Sequence, residues 1–164
     1  MRSRMAKAHQ VLAGLLAALV VVQAMAIAYA MAGLDHWVHD DGGVLNKKVL
    51  DSWDKHPPSW RGSGGFALHG IDGMMIIPLV TIVFLVVSLL AAKEVAGAGR
   101  RAAVLFGMVA LQVVLGLSAS SVVVLAPLHA LNGLGIFAMA IATARKASLP
   151  AVAVEAPVAA EAPV

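Results

Sequence analysis

The stretch Phe66–Ala92 reads FALHGIDGMMIIPLVTIVFLVVSLLAA. At about 1.5 Å per residue, a helix of this length crosses a hydrocarbon core of about 30 Å. Backbone in lipid must satisfy its own hydrogen bonds, so the segment reads as a transmembrane helix. Three further stretches are long and apolar enough to match it: Gln10–Gly33, Ala102–Ser121 and Ala126–Ala144. The expected fold is an all-α integral membrane four-helix bundle. Composition agrees, because 60% of residues are hydrophobic, only 13% are charged and the mean hydropathy is +0.88, far above a soluble domain. The chain has no cysteine, which excludes thiolate chemistry, disulfides and Cys-ligated zinc or iron–sulfur clusters.

The opening of that helix is written twice. Residues 67–76 read A-L-H-G-I-D-G-M-M-I and residues 127–136 read P-L-H-A-L-N-G-L-G-I. The shared pattern is L-H-x-[I/L]-[D/N]-G-[M/L]-x-I. From composition, a second acid or amide three residues after a histidine, followed by glycine, has odds of roughly one in two hundred. A second match joins V-L-A-G-L-L-A (Val11–Ala17) to V-L-F-G-M-V-A (Val104–Ala110). Together they predict two parallel helix-pair repeats, related by a pseudo-twofold axis along the membrane normal.

The formal charge of +3 is a topology signal rather than a nucleic-acid signal. Arg2, Arg4, Lys7, Lys93, Arg100, Arg101, Arg145 and Lys146 fall on one side of the four helices, and Lys47, Lys48, Lys55 and Arg61 on the other. By the positive-inside rule both termini are cytoplasmic in a bacterial cytoplasmic membrane, and the loop Leu34–Gly65 is outside. The partner so implied is the lipid bilayer, with no nucleic acid. Trp37, Trp53 and Trp60 all fall in the outer loop, where interfacial rings belong. A short amphipathic helix is expected around Val44–Lys55. Helix 1 also resembles a signal peptide, with a basic start and Ala28-Tyr29-Ala30, but its apolar run exceeds a typical h-region, so retention is expected. The four-span domain is placed at 1–147. The Ala/Pro-rich tail Ser148–Val164 lacks periodicity and is expected to be disordered in the cytoplasm.

An ionisable residue inside the membrane is a functional hypothesis by default. His69 and His129 each open a helix running inward, so both sit near the outer leaflet. In a bundle of sequential neighbours, helices 2 and 4 are diagonal, and two facing imidazoles leave a slot that suits haem b with one axial bond from each side. Gly73 and Gly133 stand one turn below on the same face and give the macrocycle clearance. Asp72 and Asn132 are possible acceptors for the second ring N–H, a task a backbone carbonyl can also perform. Arg61 or the loop lysines would meet haem propionates.

The segments F-A-L-H-G-I-D-G and L-H-A-L-N-G-L-G-I-F, the latter followed by Arg145, resemble the second and last helices of a family of small four-helix bacterial membrane proteins of unknown function. The layout is also similar to one four-helix half of haem A synthase and to b-type cytochrome bundles. The resemblance implies haem ligation by His69 and His129. It does not imply haem A synthesis, because the position just upstream of His69 holds Gly65, Phe66, Ala67 and Leu68 where that pattern has a glutamate.

Elsewhere the residues carry less. His36 and His39 have the i, i+3 spacing of two metal ligands, but no third ligand is assured and a solvated loop is the default. His56 reads as loop and His9 as interfacial. Gln23 and Gln112 default to interhelical hydrogen bonding, and the small residues Ala13, Gly14, Ala17, Ala18, Gly107, Ala110, Gly133 and Gly135 mostly to helix packing. No nucleophile–base pair, phosphate loop or chain of carboxylates is present, so the chain does not read as an enzyme in its own right. The expected function is a small haem-binding electron-transfer protein, with a quinone or a redox membrane protein as partner. A non-redox scaffold with structural histidines is the alternative, and a transporter a distant third.

Overall fold

The structure is a computed structural model and describes residues 3–146. Four helices are long and apolar enough to cross a membrane: Arg4–His39, Gly64–Lys93, Ala98–Ser118 and Leu125–Lys146. Among the described residues there is no strand. The all-helical, multi-pass expectation therefore holds, while the expected tail Ser148–Val164 lies outside the described residues. In chain order the elements are α1 (Arg4–His39), the short α2 (Lys47–Ser52), α3 (Gly64–Ile71), a π-turn (Asp72–Ile76), α4 (Ile77–Leu90), α5 (Ala98–Ser118) and α6 (Leu125–Lys146). A 3₁₀ turn, Ala91–Lys93, closes the second span.

Several ends differ from expectation, each for a local reason. α1 starts at Arg4 rather than Gln10 because Ser3 caps it, its Oγ accepting from the Ala6 N–H. It runs on to His39 because i, i+4 contacts of His36 with Asp40 and His39 with Asp35 carry the helix past the apolar run. α5 starts at Ala98 because Gly97 supplies the left-handed turn before it. Arg100 and Arg101 then continue the helix without being apolar. Asn46 caps α2 by accepting from the Val49 N–H, within the expected amphipathic stretch.

α1 packs between α4 and α6, and α5 packs between the same two, so the second and fourth spans face each other across a diagonal. The core between them is Ala13, Leu16, Phe84, Ala102, Leu105, Val109, Ile136 and Ala140. No more than 28% of the most apolar window of any span is buried inside the protein. The outward residues are Val, Leu, Ile and Met, such as Val11, Leu79 and Leu134. So large an apolar exterior needs a second apolar phase around it, which a bilayer supplies. Ala18, Gly107 and Ala110 belong to that exterior, and nothing approaches Gly14 or Gly107. Ala13 and Ala17 are buried in the core, and Gly133 and Gly135 lie against Gln112 and Met108, so the packing role holds for these four and not for the exposed Ala18, Gly107 and Ala110.

The inward faces of the first and third spans read alike. Ala13, Leu16, Val20 and Gln23 line one, and Ala102, Leu105, Val109 and Gln112 line the other. Both are A-x-x-L-x-x-x-V-x-x-Q. This register is about one turn away from the Val11–Ala17/Val104–Ala110 match, which pairs the buried Ala17 and the half-buried Gly14 with the exposed Ala110 and Gly107.

The second span solves a register problem. Its inward residues His69, Gly73, Ile77 and Thr81 are spaced by four, which on a regular helix drifts by about 40° per turn. The fourth span uses His129, Gly133, Ile136, Ala140 and Thr143, the alternating spacing an α-helix needs. The π-turn holds one extra residue, with the Ile77 N–H reaching back to the Asp72 carbonyl, and removes the drift. Pro78, just beyond it, has no N–H to give and would crowd the carbonyl four residues back in a regular helix.

The chain returns from the loop by leaning α3 on α1. A Cβ on Gly65 would stand 2.4 Å from the Ala26 carbonyl oxygen, and one on Gly33 would stand 2.1 Å from that of Arg61. Only glycine allows the two backbones this close. Trp37, Trp53, Trp60 and Phe66 pack around one another above this contact, with ring centroids 6.0–6.3 Å apart. The tryptophans thus form a small aromatic cluster that ties the loop to α1 and α3, rather than three separate interfacial rings.

Candidate functional site

His69 on α3 and His129 on α6 meet across the diagonal, their ring centroids 6.2 Å apart with the planes at 61°. The site therefore contains both histidines read from the repeated motif. Each ring is held the same way. Nδ1 of His69 lies 3.1 Å from the Gln23 carbonyl oxygen, and Nδ1 of His129 lies 3.1 Å from the Gln112 carbonyl oxygen. A carbonyl only accepts, so Nδ1 of each ring carries the hydrogen and Nε2 of each keeps its lone pair. That tautomer and orientation are the ones a metal-ligating imidazole needs.

The side chains of Gln23 and Gln112 follow. The Gln112 amide Nε2 donates to His129 Nε2 at 3.1 Å, and its Oε1 accepts from Asn132 Nδ2 at 2.7 Å. Asn132 Nδ2 also donates to the Met108 carbonyl at 2.9 Å. Asn132 therefore acts on His129 through Gln112 rather than by direct contact. Gly73 and Gly133 hold the glutamines: a Cβ on Gly73 would stand 2.3 Å from Gln23 Nε2, and one on Gly133 would stand 3.3 Å from Gln112 Nε2. The glycines do give clearance, but an amide fills it here. Asp72 is 1% exposed, and neither carboxylate oxygen has a hydrogen-bond partner among the described residues. It does not accept from His69, whose second nitrogen goes to backbone.

Three contributors escaped the sequence reading. Gln23 and Gln112 were expected only to bridge helices. Their shared A-x-x-L-x-x-x-V-x-x-Q context was the available signal. Gly116 was not singled out at all, yet a Cβ there would stand 3.0 Å from the His129 ring.

A cavity of about 210 Å³ lies beside the two imidazoles, lined by residues of all four spans, including Val20, Ile77, Val109 and Ile136. Its few polar groups are the two histidines and the two glutamines, set in apolar walls. That is the ordinary make-up of a small-molecule site.

The other histidines do different things. His36 Nδ1 pairs with Asp40 at 2.6 Å and His39 Nδ1 with Asp35 at 3.2 Å, all exposed. No group of three metal-ligating side chains occurs among the described residues, so the expected pair at His36 and His39 has no third ligand. His9 is fully buried within the bundle, stacked on Phe84 at 5.0 Å with Nδ1 2.8 Å from Ser88 Oγ. Ser88 Oγ itself donates to the Phe84 carbonyl, so it accepts from His9. This contact joins the first and second spans at the end carrying the described termini.

No family model, curated protein or solved structure matches this chain.

Proposed function

We propose that this chain is a small membrane protein that binds one b-type haem through His69 and His129. The observation that carries the proposal is the matched anchoring of the pair, each Nδ1 lying 3.1 Å from a backbone carbonyl oxygen. Two imidazoles on diagonal helices each give Nδ1–H to a backbone carbonyl, which leaves Nε2 of each as the nitrogen with the lone pair. A metal bonded about 2 Å from each ring nitrogen, with each ring centre roughly 1 Å further back, puts the centroids about 6 Å apart, as found. The cavity is small for a macrocycle. Gln23 and Gln112 fill the clearings at Gly73 and Gly133, so loading requires those two flexible side chains to swing aside.

When bound, the haem would supply one-electron chemistry. The chain's own residues fix the imidazole tautomers, exclude water with apolar walls and set the pair near one end of the bundle. With the basic residues at the termini end, that end is read as cytoplasmic and the histidine end as outer. The partner is then a quinone or a redox membrane protein. The layout remains similar to one half of haem A synthase, without the chemistry of that enzyme. The matched inward faces and the two matching Nδ1 contacts support reading the helix pairs as copies about a pseudo-twofold axis.

One observation favours the non-redox scaffold: His129 Nε2 already has a partner in the Gln112 amide. The two readings part in a haem titration of the purified chain. The cofactor reading expects saturation at one haem per chain and a reduced-minus-oxidised alpha band; in His69→Ala and in His129→Ala haem binds more weakly and the alpha band of the wild type is lost. A folded wild-type chain that stays colourless with excess haem establishes the scaffold instead.

A further inference from the structure

The walls of the cavity are not equally closed. Of its lining residues, the exposed ones are Gly70, Met74, Gly116 and Leu117, with Met74 and Leu117 48% and 64% exposed. All four belong to the second and third spans. The lining residues contributed by α1 and α6 are partly or fully buried. The packing explains this pattern. α5 packs along α4 and α6, whereas α3 packs against α1. The close glycine contact at Gly65 draws α3 toward α1 and away from α5, and the π-turn lets the span change direction before α4 returns to α5. The result is a gap between α3 and α5 beside the two histidines. Two flexible apolar side chains, Met74 and Leu117, stand over it, and glycines at 70 and 116 leave it wide. The Trp37–Trp53–Trp60–Phe66 cluster ties the loop to α1 and α3 and contributes nothing to the cavity lining.

We infer that the gap between α3 and α5 is a lateral portal through which haem passes between the bilayer and the His69–His129 site. This rests on the haem reading above and adds to it: the cofactor is exchanged with the membrane rather than permanently enclosed. Haem is flat and amphipathic and dissolves in bilayers. The exposed lining residues are apolar or glycine and lie on the sides of α3, the π-turn and α5, so a ligand arriving from lipid meets Met74 and Leu117 first. Met is well suited to such a gate because its unbranched thioether changes rotamer at little cost.

The chain has no cysteine, so paired cysteines can be placed at will. The test uses the full chain in vesicles, as Met74→Cys with Leu117→Cys, linked or not linked by a bifunctional maleimide. Haem uptake from haem-loaded donor vesicles, and release from preloaded protein to apomyoglobin, are read by absorbance. The expected result is uptake and release at least as fast as wild type without the linker and at least tenfold slower with it. A control pair at Val11→Cys and Leu15→Cys, on the outer face of α1, leaves both rates unchanged when linked. Unchanged rates in the linked Met74/Leu117 protein overturn the portal while leaving haem binding intact. Failure of the unlinked protein to take up haem at all overturns both. Gly70→Trp gives a second reading, since nothing lies within 4 Å of a Cβ there and the fold should tolerate it. It should slow both uptake and release, and rates equal to wild type would overturn the portal.

Discussion

At the scale of single residues, Gln112 is where the account is most exposed. Its amide occupies the nitrogen of His129 that a metal would take, while its carbonyl holds the opposite nitrogen. The first contact competes with ligation and the second prepares it. Removing the side chain but keeping the backbone separates the two. We expect Gln112→Ala to cost the haem-free chain about 2 kcal/mol, the usual worth of the two side-chain hydrogen bonds it loses. The same change should raise haem affinity severalfold, measured by titration of the purified chain. A loss of affinity would show that the amide assists binding. The histidines themselves were legible because the repeated L-H-x-x-[D/N]-G phrase is rare, while the glutamines were not. One polar residue in an apolar helix has many uses, and only the inward register of Ala13, Leu16 and Val20 singles out Gln23. Asp72 and Asn132 show the same limit. Spacing placed them beside the histidines, but their contacts depended on which backbone carbonyls lay nearer.

At the scale of elements, the second span is decided by its π-turn. Four spans were plain in the sequence, since apolar length alone identifies them. The π-turn was hidden because Gly73–Ile77 is apolar on every face and carries no phase. Its role predicts an asymmetry between deletions. Deleting Met75 together with Pro78→Ala turns the segment into a regular helix and keeps both flanks facing inward, as in α6. Deleting Val83 rotates Phe84 and Ser88 by about 100° relative to His69 and removes the buried contacts of Phe84 and Ser88 with His9. The first variant is expected to purify as a monodisperse species with a melting temperature near that of the parent. The second is expected to aggregate or melt far lower. Equal behaviour of the two would mean the π-turn does not set the register.

At the scale of the whole molecule, four long helices form a ring in which α1 and α5 separate the two histidine-bearing spans. The diagonal follows from chain order once the helices are sequential neighbours, which is why it could be anticipated. The sideways gap could not be, because it depends on α3 leaning on α1 through Gly65, a contact set by backbone approach. The central claim is that this arrangement delivers two imidazoles to one iron. Electron paramagnetic resonance of the ferric, haem-loaded protein tests it most directly. The account predicts a six-coordinate low-spin spectrum of the bis-imidazole type in the wild-type chain, converted to high spin by His69→Ala and by His129→Ala separately. A high-spin wild-type spectrum, or a low-spin spectrum that survives either substitution, would contradict it.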